Sequence, residues 1–548
     1  MAPDALSRRR FFQVGAAATA TAGLTGLPPI AFADARHFLD SGPQDLIEVT
    51  IAELQARMAA GQLTAVELVR EYKARIEAID REGPKVNSVL ELNPDAEAIA
   101  AALDEERSKK GPRGPLHGIP LLIKDNIDTH DRMHTTAGSL ALLGSTPPLD
   151  ATVAARLREA GVVLLGKTNL SEWANFRSTN SSSGWSGRGG QCLNPYALDR
   201  SPCGSSSGTG VAVSANLCAA GLGTETDGSI LCPSGINMVV GIKPTLGLTS
   251  RAGVIPIAHS QDTVGPFGRT VADAATVLGA MVGVDPRDPA TSASAGKFFT
   301  DYRPFLDHNG LKGARIGVLR QVFAGFQDKV DAVYNQAIAA MRQAGATIVD
   351  PADLPDAQEI NSSPDELTVL LFEFKQDLNK YLAARGDPTI HTLQDLIDFN
   401  NAHAKQELLY FGQEIFLQAQ AVNLNDPATI ASYQKALDND HHLGRDQGID
   451  AVLQKFNLDV LVAPTNPVPW KIDLLDGDHD LGGSSTPTSL AGYPAINVPA
   501  GFSFGLPIGI TFMGTAWSEP TLIKIASGFE AATKARKPPT FVPASTVI

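Results

Sequence analysis

Two glycine- and serine-rich turns impose the strongest constraint on how this chain can fold. One begins at Ser201 with the sequence SPCGSSSGTG, and the other begins at Gly223 with the sequence GTETDGSI. Such small side chains cannot fill a core, but they let the backbone approach a ligand closely and they expose N–H groups and hydroxyls. The small-residue run between the turns, Val211–Leu222, predicts a helix packed closely against a sheet. We therefore expect the two turns to meet at one end of that helix.

Helical and strand patterns alternate along much of the chain. Pro120–Ile123 and Val162–Leu165 are short apolar runs typical of buried strands. Thr50 and Thr64 are each followed three residues later by glutamate, which predicts helix starts with capping boxes. This alternation favours an α/β fold with a largely covered sheet.

The distribution of helical regions and the lack of a linker predict the domain organisation. Residues 50–110 are predicted to be helical, and so are residues 360–455, which could form a cap over the sheet. No internal repeat or low-complexity linker divides residues 34–548. We therefore expect a single domain after an N-terminal targeting segment.

That segment, Met1–Ala33, resembles a twin-arginine export signal. Ser7 is followed by three arginines and two phenylalanines, then by a weakly apolar run, and Ala31-Phe32-Ala33 is typical of a cleavage site. A membrane anchor would need about 20 strongly apolar residues, whereas this run is shorter and contains Pro28-Pro29. A disordered arm is the other alternative. We expect export to the periplasm or the exterior, with no membrane anchor after cleavage.

Charge and cysteine content narrow the function classes. The 548-residue chain has a net charge of −14, which argues against nucleic acid as a partner, because a phosphate-backbone binder needs a basic face. A chain of this length can bury a large core without disulfides. Cys192, Cys203, Cys218 and Cys232 show neither C-x-x-C nor zinc spacing. We expect no metal site, and a Cys192–Cys203 bridge is disfavoured.

The two turns admit several kinds of chemistry. Phosphate binding by a P-loop is excluded, since neither turn ends in Gly-Lys-Ser/Thr. A serine nucleophile needs a base, and His259 is the only histidine near the turns, with no G-x-S-x-G motif present. Lys124, at the end of the apolar strand GIPLLIK, could serve if burial lowers its pKa. A surface charge is the alternative for that lysine.

The combination of these turns with Lys124 resembles the amidase signature family. The resemblance covers about residues 45–535, and within the family the chain is most similar to bacterial peptide amidases, which remove the C-terminal amide nitrogen from peptides. The motifs that carry it are Gly166–Trp173, Glu172–Arg177, Thr224–Ser229, Gly241–Thr245 and Gln261–Pro266. The fold that it implies is a central mixed β-sheet covered by helices on both faces.

The resemblance also implies a catalytic triad without metal or organic cofactor. Ser229 would be the nucleophile, Ser205 the middle member on a cis peptide bond, and Lys124 the base. Neutral Lys124 would accept a proton from Ser205, which accepts one from Ser229 as Ser229 Oγ attacks the amide carbon. Water would then hydrolyse the acyl-enzyme.

An oxyanion hole is implied in the second turn. It would consist of the backbone N–H groups of Thr226, Asp227, Gly228 and Ser229, and any residue except proline can supply such a group. Asp227 stands where most family members have glycine. The hydroxyls of Ser206 and Thr226 could support the relay, although such groups more often satisfy the backbone.

Three further residues bear on this assignment. Asp125 could hold Lys124 charged, but its side chain is expected to point the other way along the strand. Lys167 is a competing candidate for a buried lysine. Leu231 stands where amidotransferase relatives have an arginine that would pair with an α-carboxylate, which disfavours such substrates and transamidation of tRNA.

The sequence thus predicts an exported serine hydrolase acting on carboxamides, with peptide C-terminal amides as one substrate class. Aryl, fatty or cyclic oligomer amides are the alternative, because residues 360–455 and 465–495, which we expect to shape the acyl pocket, contain no pattern that distinguishes these substrates from peptide amides. A non-catalytic binding protein on the same scaffold is a remote alternative.

Overall fold

The computed structural model describes residues 46–545, so the proposed signal Met1–Ala33 lies outside the described residues. Within them, one 11-stranded sheet has the order β1-β3-β2-β6-β8-β7-β12-β13-β11-β9-β10, and β4 and β5 form a separate hairpin. The strands are β1 (Val89–Leu92), β2 (Pro120–Lys124), β3 (Val163–Thr168), β4 (Trp185–Ser186), β5 (Gly190–Gln191), β6 (Ala220–Glu225), β7 (Val240–Lys243), β8 (Thr263–Gly268), β9 (Arg315–Val318), β10 (Thr347–Val349), β11 (Val460–Pro464), β12 (Ala495–Ser503) and β13 (Leu506–Met513).

Helices connect most of these strands. The α-helices of the described residues are α1 (Ile51–Ala59), α2 (Ala65–Arg75), α3 (Ala96–Lys110), α4 (Thr152–Glu159), α5 (Ser207–Ser214), α6 (Leu231–Ile236), α7 (Val271–Met281), α8 (Asp328–Gln343), α9 (Ala357–Ser362), α10 (Asp365–Arg385), α11 (Leu393–Ala402), α12 (Ala404–Glu407), α13 (Glu414–Ala421), α14 (Pro427–Gly444), α15 (Asp450–Phe456), α16 (Thr486–Ala491) and α17 (Glu519–Thr533). None of the helices in residues 46–545 is long and apolar enough to cross a membrane.

The sheet is mixed and covered on both faces, which confirms the predicted fold class. β2 pairs in parallel with both β3 and β6, whereas β6 pairs antiparallel with β8. In β11, Val460 and Val462 belong to one hydrophobic cluster, while Leu461 and Ala463 belong to another. Because successive strand residues point to opposite faces, helices must pack on each side of β11. This explains why the strand patterns are continuous apolar runs rather than alternating ones.

Local signals for helix starts are confirmed. Thr50 and Thr64 each cap a helix, and each forms a complete capping box with the glutamate three residues later. At the end of α10, Gly386 takes the left-handed conformation that helix C-caps favour. These features depend only on neighbours within four residues.

Two segments differ from the sequence-based expectation. Residues 50–110 are not entirely helical, because Val89–Leu92 pairs antiparallel with β3 at the sheet edge. The run Val211–Leu222 is not one helix: α5 covers only its first third, and β6 begins at Ala220. Gly221 and Gly223 lie in β6, where neighbouring side chains leave no room for a Cβ. A Cβ at Gly223 would lie 2.6 Å from the Phe267 ring.

Residues 357–456 contain α9 to α15 and no strand. Aromatic and aliphatic residues of α10 and α13, including Phe374 and Phe416, form a cluster with Trp173 and Phe176. The helical segment therefore packs against the loop that follows β3, next to the site described below.

A disulfide joins the first glycine- and serine-rich turn to α6, the helix that follows the second turn. Cys203 and Cys232 are bonded, with their Cα atoms 6.0 Å apart, and Cys192 and Cys218 are free and buried. The disfavoured Cys192–Cys203 bridge is absent, and the pairing that forms instead was not predicted. Local spacing could not reveal it, because 29 residues separate the two cysteines.

Candidate active site

Lys124 ends β2 at the centre of the parallel part of the sheet, between β3 and β6. Its side chain is fully buried, and its Nζ lies 2.8 Å from Ser205 Oγ and 2.8 Å from Thr224 Oγ1. Burial lowers the pKa of Lys124 from its ordinary 10.5 to about 7, and the carboxyl groups of Asp262 and Glu225 act in the opposite direction. A large fraction of this lysine is therefore neutral near pH 7.

Asp125, the neighbour of Lys124 in the sequence, does not pair with it. Asp125 points away from it, accepts hydrogen bonds from Thr136 and Gly138 and forms an ion pair with Arg188, as the strand pattern predicts. The competing candidate, Lys167, is equally buried but donates to the Ile127 carbonyl and to a threonine hydroxyl. Of the two candidate lysines, only Lys124 contacts Ser205 of the first serine-rich turn.

The first turn places Ser205 on a cis peptide bond after Gly204, as the family resemblance implies. The Ser205 carbonyl accepts a hydrogen bond from the Ser171 N–H at 3.1 Å. A Cβ on Gly204 would overlap Ser171 Oγ, so no larger residue fits at that position. The Ser206 N–H donates to the Ser229 carbonyl at 3.2 Å, which brings the two turns together.

The second turn presents unpaired N–H groups. Gly228 has a φ of 77°, a conformation that glycine adopts without strain. Among the described residues, none accepts a hydrogen bond from the backbone N–H of Thr226, Asp227, Gly228 or Ser229. Several N–H donors aimed at one small volume can stabilise a negatively charged oxygen.

The Glu225 side chain stabilises the end of the second turn. Its Oε2 accepts hydrogen bonds from the N–H groups of Ile230 at 2.6 Å and Leu231 at 2.8 Å. These two bonds hold the backbone that follows Ser229 in a defined geometry. Glu225 belongs to the second turn's motif, but the sequence did not predict this role for it.

The hydroxyls of Ser206 and Thr226 bond to groups outside the triad. Ser206 Oγ donates to the Thr224 carbonyl and accepts from the Thr224 N–H. The Thr226 hydroxyl donates to Asp262 at 2.5 Å. Of the two roles considered for these groups, the structure favours the satisfaction of local polar groups.

Three polar residues around Lys124 were not predicted. The Thr224 hydroxyl contacts Lys124 and also accepts from Asn126 Nδ2 at 2.9 Å. Asp262 Oδ2 accepts from the N–H groups of Ile257 and Ala258. Thr224, Asn126 and Asp262 each lie inside or beside a motif named above. Nothing in the sequence sets them apart from other polar residues, because their importance depends on their position next to Lys124 in the fold.

A cavity of about 360 Å³ opens beside the second turn. Gly204 and the two disulfide cysteines line it on one side, and Asp227 and Gly228 line it next to the unpaired N–H groups. Asn175 also lines it, at the end of a segment in which Trp173, Ala174 and Asn175 all have positive φ. The cavity is large enough for the acyl part of a small amide.

Comparisons with known proteins identify the family of this chain. The family model described as Amidase matches residues 67–523. A probable amidase of Arabidopsis thaliana is 43% identical over 90% of this chain and 92% of its own length. A putative amidase of Arthroderma benhamiae is 41% identical, and the match covers 90% of this chain and 83% of that protein.

Solved structures extend the likeness to three dimensions. The native peptide amidase of Stenotrophomonas maltophilia has a TM-score of 0.86 and 51% identity, and the match covers 91% of this chain and 99% of that one. A complex of peptide amidase with the competitive inhibitor chymostatin has a TM-score of 0.87, 51% identity and coverages of 90% and 99%. With a family model that matches most of its length, this chain belongs to the amidase signature family.

Proposed function

We propose that this protein hydrolyses primary carboxamides to carboxylate and ammonia through an acyl-enzyme. The observation that carries the proposal is the contact of 2.8 Å between Ser205 Oγ and Lys124 Nζ, a buried amine whose pKa lies at about 7. A neutral amine in that position can accept a proton from a hydroxyl, which a lysine with an ordinary pKa could not do at neutral pH.

In this mechanism, Ser229 Oγ attacks the amide carbon and passes its proton to Ser205 as Ser205 passes its own to Lys124. The leaving nitrogen takes a proton back from Ser205 and departs as ammonia. Water then repeats the sequence and releases the carboxylate. Lys124 accepts and returns a proton in both acylation and deacylation. Its neutral form must therefore be regenerated in every turnover.

The negative charge that develops on the carbonyl oxygen would be stabilised by the unpaired N–H groups of residues 226–229. Removal of one donor of this kind typically costs a factor of about 10²–10³ in rate. Asp227 contributes its N–H, while its carboxylate is held by the hydroxyls of Thr486 at 2.8 Å and Ser489 at 3.2 Å.

For the substrate, we propose C-terminal amides of peptides. Two of the solved structures that resemble this chain at 51% identity are peptide amidases. Leu231 is an apolar residue with 1% exposure, so that position offers no cation to an α-carboxylate. Aryl, fatty or cyclic oligomer amides remain the alternative substrate class.

We also propose export through the twin-arginine-like segment. The disulfide Cys203–Cys232 supports an oxidising compartment, where such bonds persist. Replacing Arg8 and Arg9 by lysine should move amidase activity from the periplasmic or secreted fraction to the cytoplasmic fraction. Activity that stays in the exported fraction would refute this part of the proposal.

The test of the activity is ammonia release from a blocked dipeptide amide and from a simple aliphatic amide. Ser229→Ala should abolish release from both. Ser234→Ala is a matched control, because Ser234 is also buried but donates only to the Leu231 carbonyl. Cleavage of the aliphatic amide alone would retain the mechanism and refute the peptide assignment. If the folded protein cleaves neither these amides nor arylamides, the hydrolase proposal fails.

A further inference from the structure

The cavity next to the second turn is strongly acidic. Three carboxylates line it, from Asp227, Asp478 and Asp480, and none of the described residues that line it is a lysine, an arginine or a histidine. His479 lies between two of them in the sequence, but it pairs with Asp473 Oδ2 at 3.3 Å. The negative charge of the cavity is therefore not neutralised by a cation in its lining.

The carboxylate of Asp478 is held in place by the protein. Its Oδ1 accepts a hydrogen bond from the indole Nε1 of Trp470 at 2.9 Å, and the Ser183 N–H lies 3.1 Å from both carboxylate oxygens. Trp470 is itself buried, with 7% exposure. A carboxylate positioned by two neutral donors keeps further lone pairs for a third donor. Burial raises the pKa of Asp478 and raises that of Asp480 to about 6, and a cationic partner would offset this loss of hydration.

A second, independent feature indicates a ligand with hydrogen-bond donors. Asn466 lines the same cavity with 7% exposure, and its Oδ1 has no hydrogen-bond partner among the described residues. A buried amide oxygen without a hydrogen-bond partner destabilises the folded protein, because it has lost its bonds to water and gained none in return. A donor group on a bound substrate would remove that penalty.

The carboxylates do not form a metal site. Among residues 46–545, the only group of three side chains close enough to hold an ion is His259, Glu373 and Asp377. These three do not line the cavity. The charges of Asp227, Asp478 and Asp480 are instead spread around it, which suits an organic cation better than a divalent metal ion.

We propose that this protein selects primary amides whose acyl part carries a positive charge near the scissile bond. The substrates are C-terminal amides of peptides with a basic side chain, or a free α-ammonium group, within the last two residues. This inference rests on the proposed function and specifies its substrate class. The cation pairs with Asp478 and Asp480, and its N–H groups supply the donor that Asn466 lacks.

The expected selectivity follows from the strength of such pairs. Asp478 is half-buried and Asp480 is exposed, so pairing with both changes binding by about tenfold, more than one exposed pair and less than a pair removed completely from water. Screening by salt reduces the contribution. The preference should therefore be found mainly in KM and should weaken as ionic strength rises.

The experiment compares blocked dipeptide amides, acetyl-Xaa-Leu-NH2 and acetyl-Leu-Xaa-NH2, in which Xaa is lysine, glutamine or glutamate. In at least one series, kcat/KM should follow the order Lys, Gln, Glu, with about tenfold between the first two. Asp478→Asn and Asp480→Asn should each reduce the Lys/Gln ratio severalfold. Asp476→Asn is the matched control, because it removes the same charge from the same loop outside the cavity, and it should leave the ratio unchanged.

Two results would overturn the inference. One is equal kcat/KM for lysine and glutamine in both series, and the other is a Lys/Gln ratio that neither cavity variant changes. In both cases ammonia is still released, so the proposed function stands. If no peptide amide of any charge is cleaved, the proposed substrate fails first, and the inference fails with it.

Discussion

The buried lysine should carry a stability cost that depends on pH in a predictable way. The fully buried amine of Lys124 has a pKa of about 7 in the folded protein instead of 10.5. Since a pKa difference of one corresponds to about 1.4 kcal/mol, this site costs the folded state roughly 5 kcal/mol below pH 7. Between pH 7 and 10.5 the unfolded chain binds more protons at Lys124 than the folded protein does, so the cost falls as the pH rises.

Lys124→Met removes the amine and keeps the aliphatic stem. Relative to wild type, the free energy of unfolding of the variant should be higher at pH 7.5 than at pH 9.5, by about 2.5 kcal/mol. Loss of the contacts with Ser205 and Thr224 costs about 1–3 kcal/mol. That term does not depend on pH, so it shifts both values equally.

The assay is urea unfolding of wild type and variant at pH 7.5, 8.5 and 9.5. This range lies above the titration of Asp262, whose pKa burial raises to about 6. Lys435→Met controls for loss of a positive charge at an exposed position. A difference between Lys124→Met and wild type that does not change with pH would mean that Lys124 keeps an ordinary pKa. Such a lysine would be charged at neutral pH and could not act as the base.

Other predictions concern the rate, the disulfide and a histidine. Because only neutral Lys124 can accept a proton, kcat/KM should rise about tenfold per pH unit below pH 7 and level off above it; a flat profile from pH 5 to 8 would contradict this. Cys203→Ser, which breaks the bond to Cys232, should lower the free energy of unfolding by about 2–4 kcal/mol, and a reductant should lower the Tm of wild type but not of the variant. A hydrogen bond to Asp377 raises the pKa of His259, which is 47% exposed at its side chain. Its stabilisation is complete below pH 6.5 and disappears as the pH rises through the raised value, so His259→Gln should destabilise by up to about 1 kcal/mol at pH 5.5 and have little effect at pH 9.

Features that depend on short stretches of chain could be predicted from the sequence. The capping boxes at Thr50 and Thr64 involve residues three apart, and they form as expected. The apolar runs of β2 and β3 indicate strands buried on both faces, because alternation is lost when both sides are covered. The family resemblance, carried by motifs rather than by periodicity, identified Lys124, Ser205 and Ser229 as the candidate catalytic residues.

Tertiary structure alone decided what surrounds those residues. Val89–Leu92 is a strand only because β3 offers an edge, and Cys203 reaches Cys232 only because the two turns meet. The pKa of Lys124 is lowered because the neighbouring strands β3 and β6 help to exclude water from its amine. Residue spacing in the sequence does not show which side chains are shielded from water. The acidic cavity likewise combines Asp227 with Asp478, 251 residues further along the chain. Local patterns determine the elements and the motif, whereas charge, burial and specificity arise from contacts between distant segments.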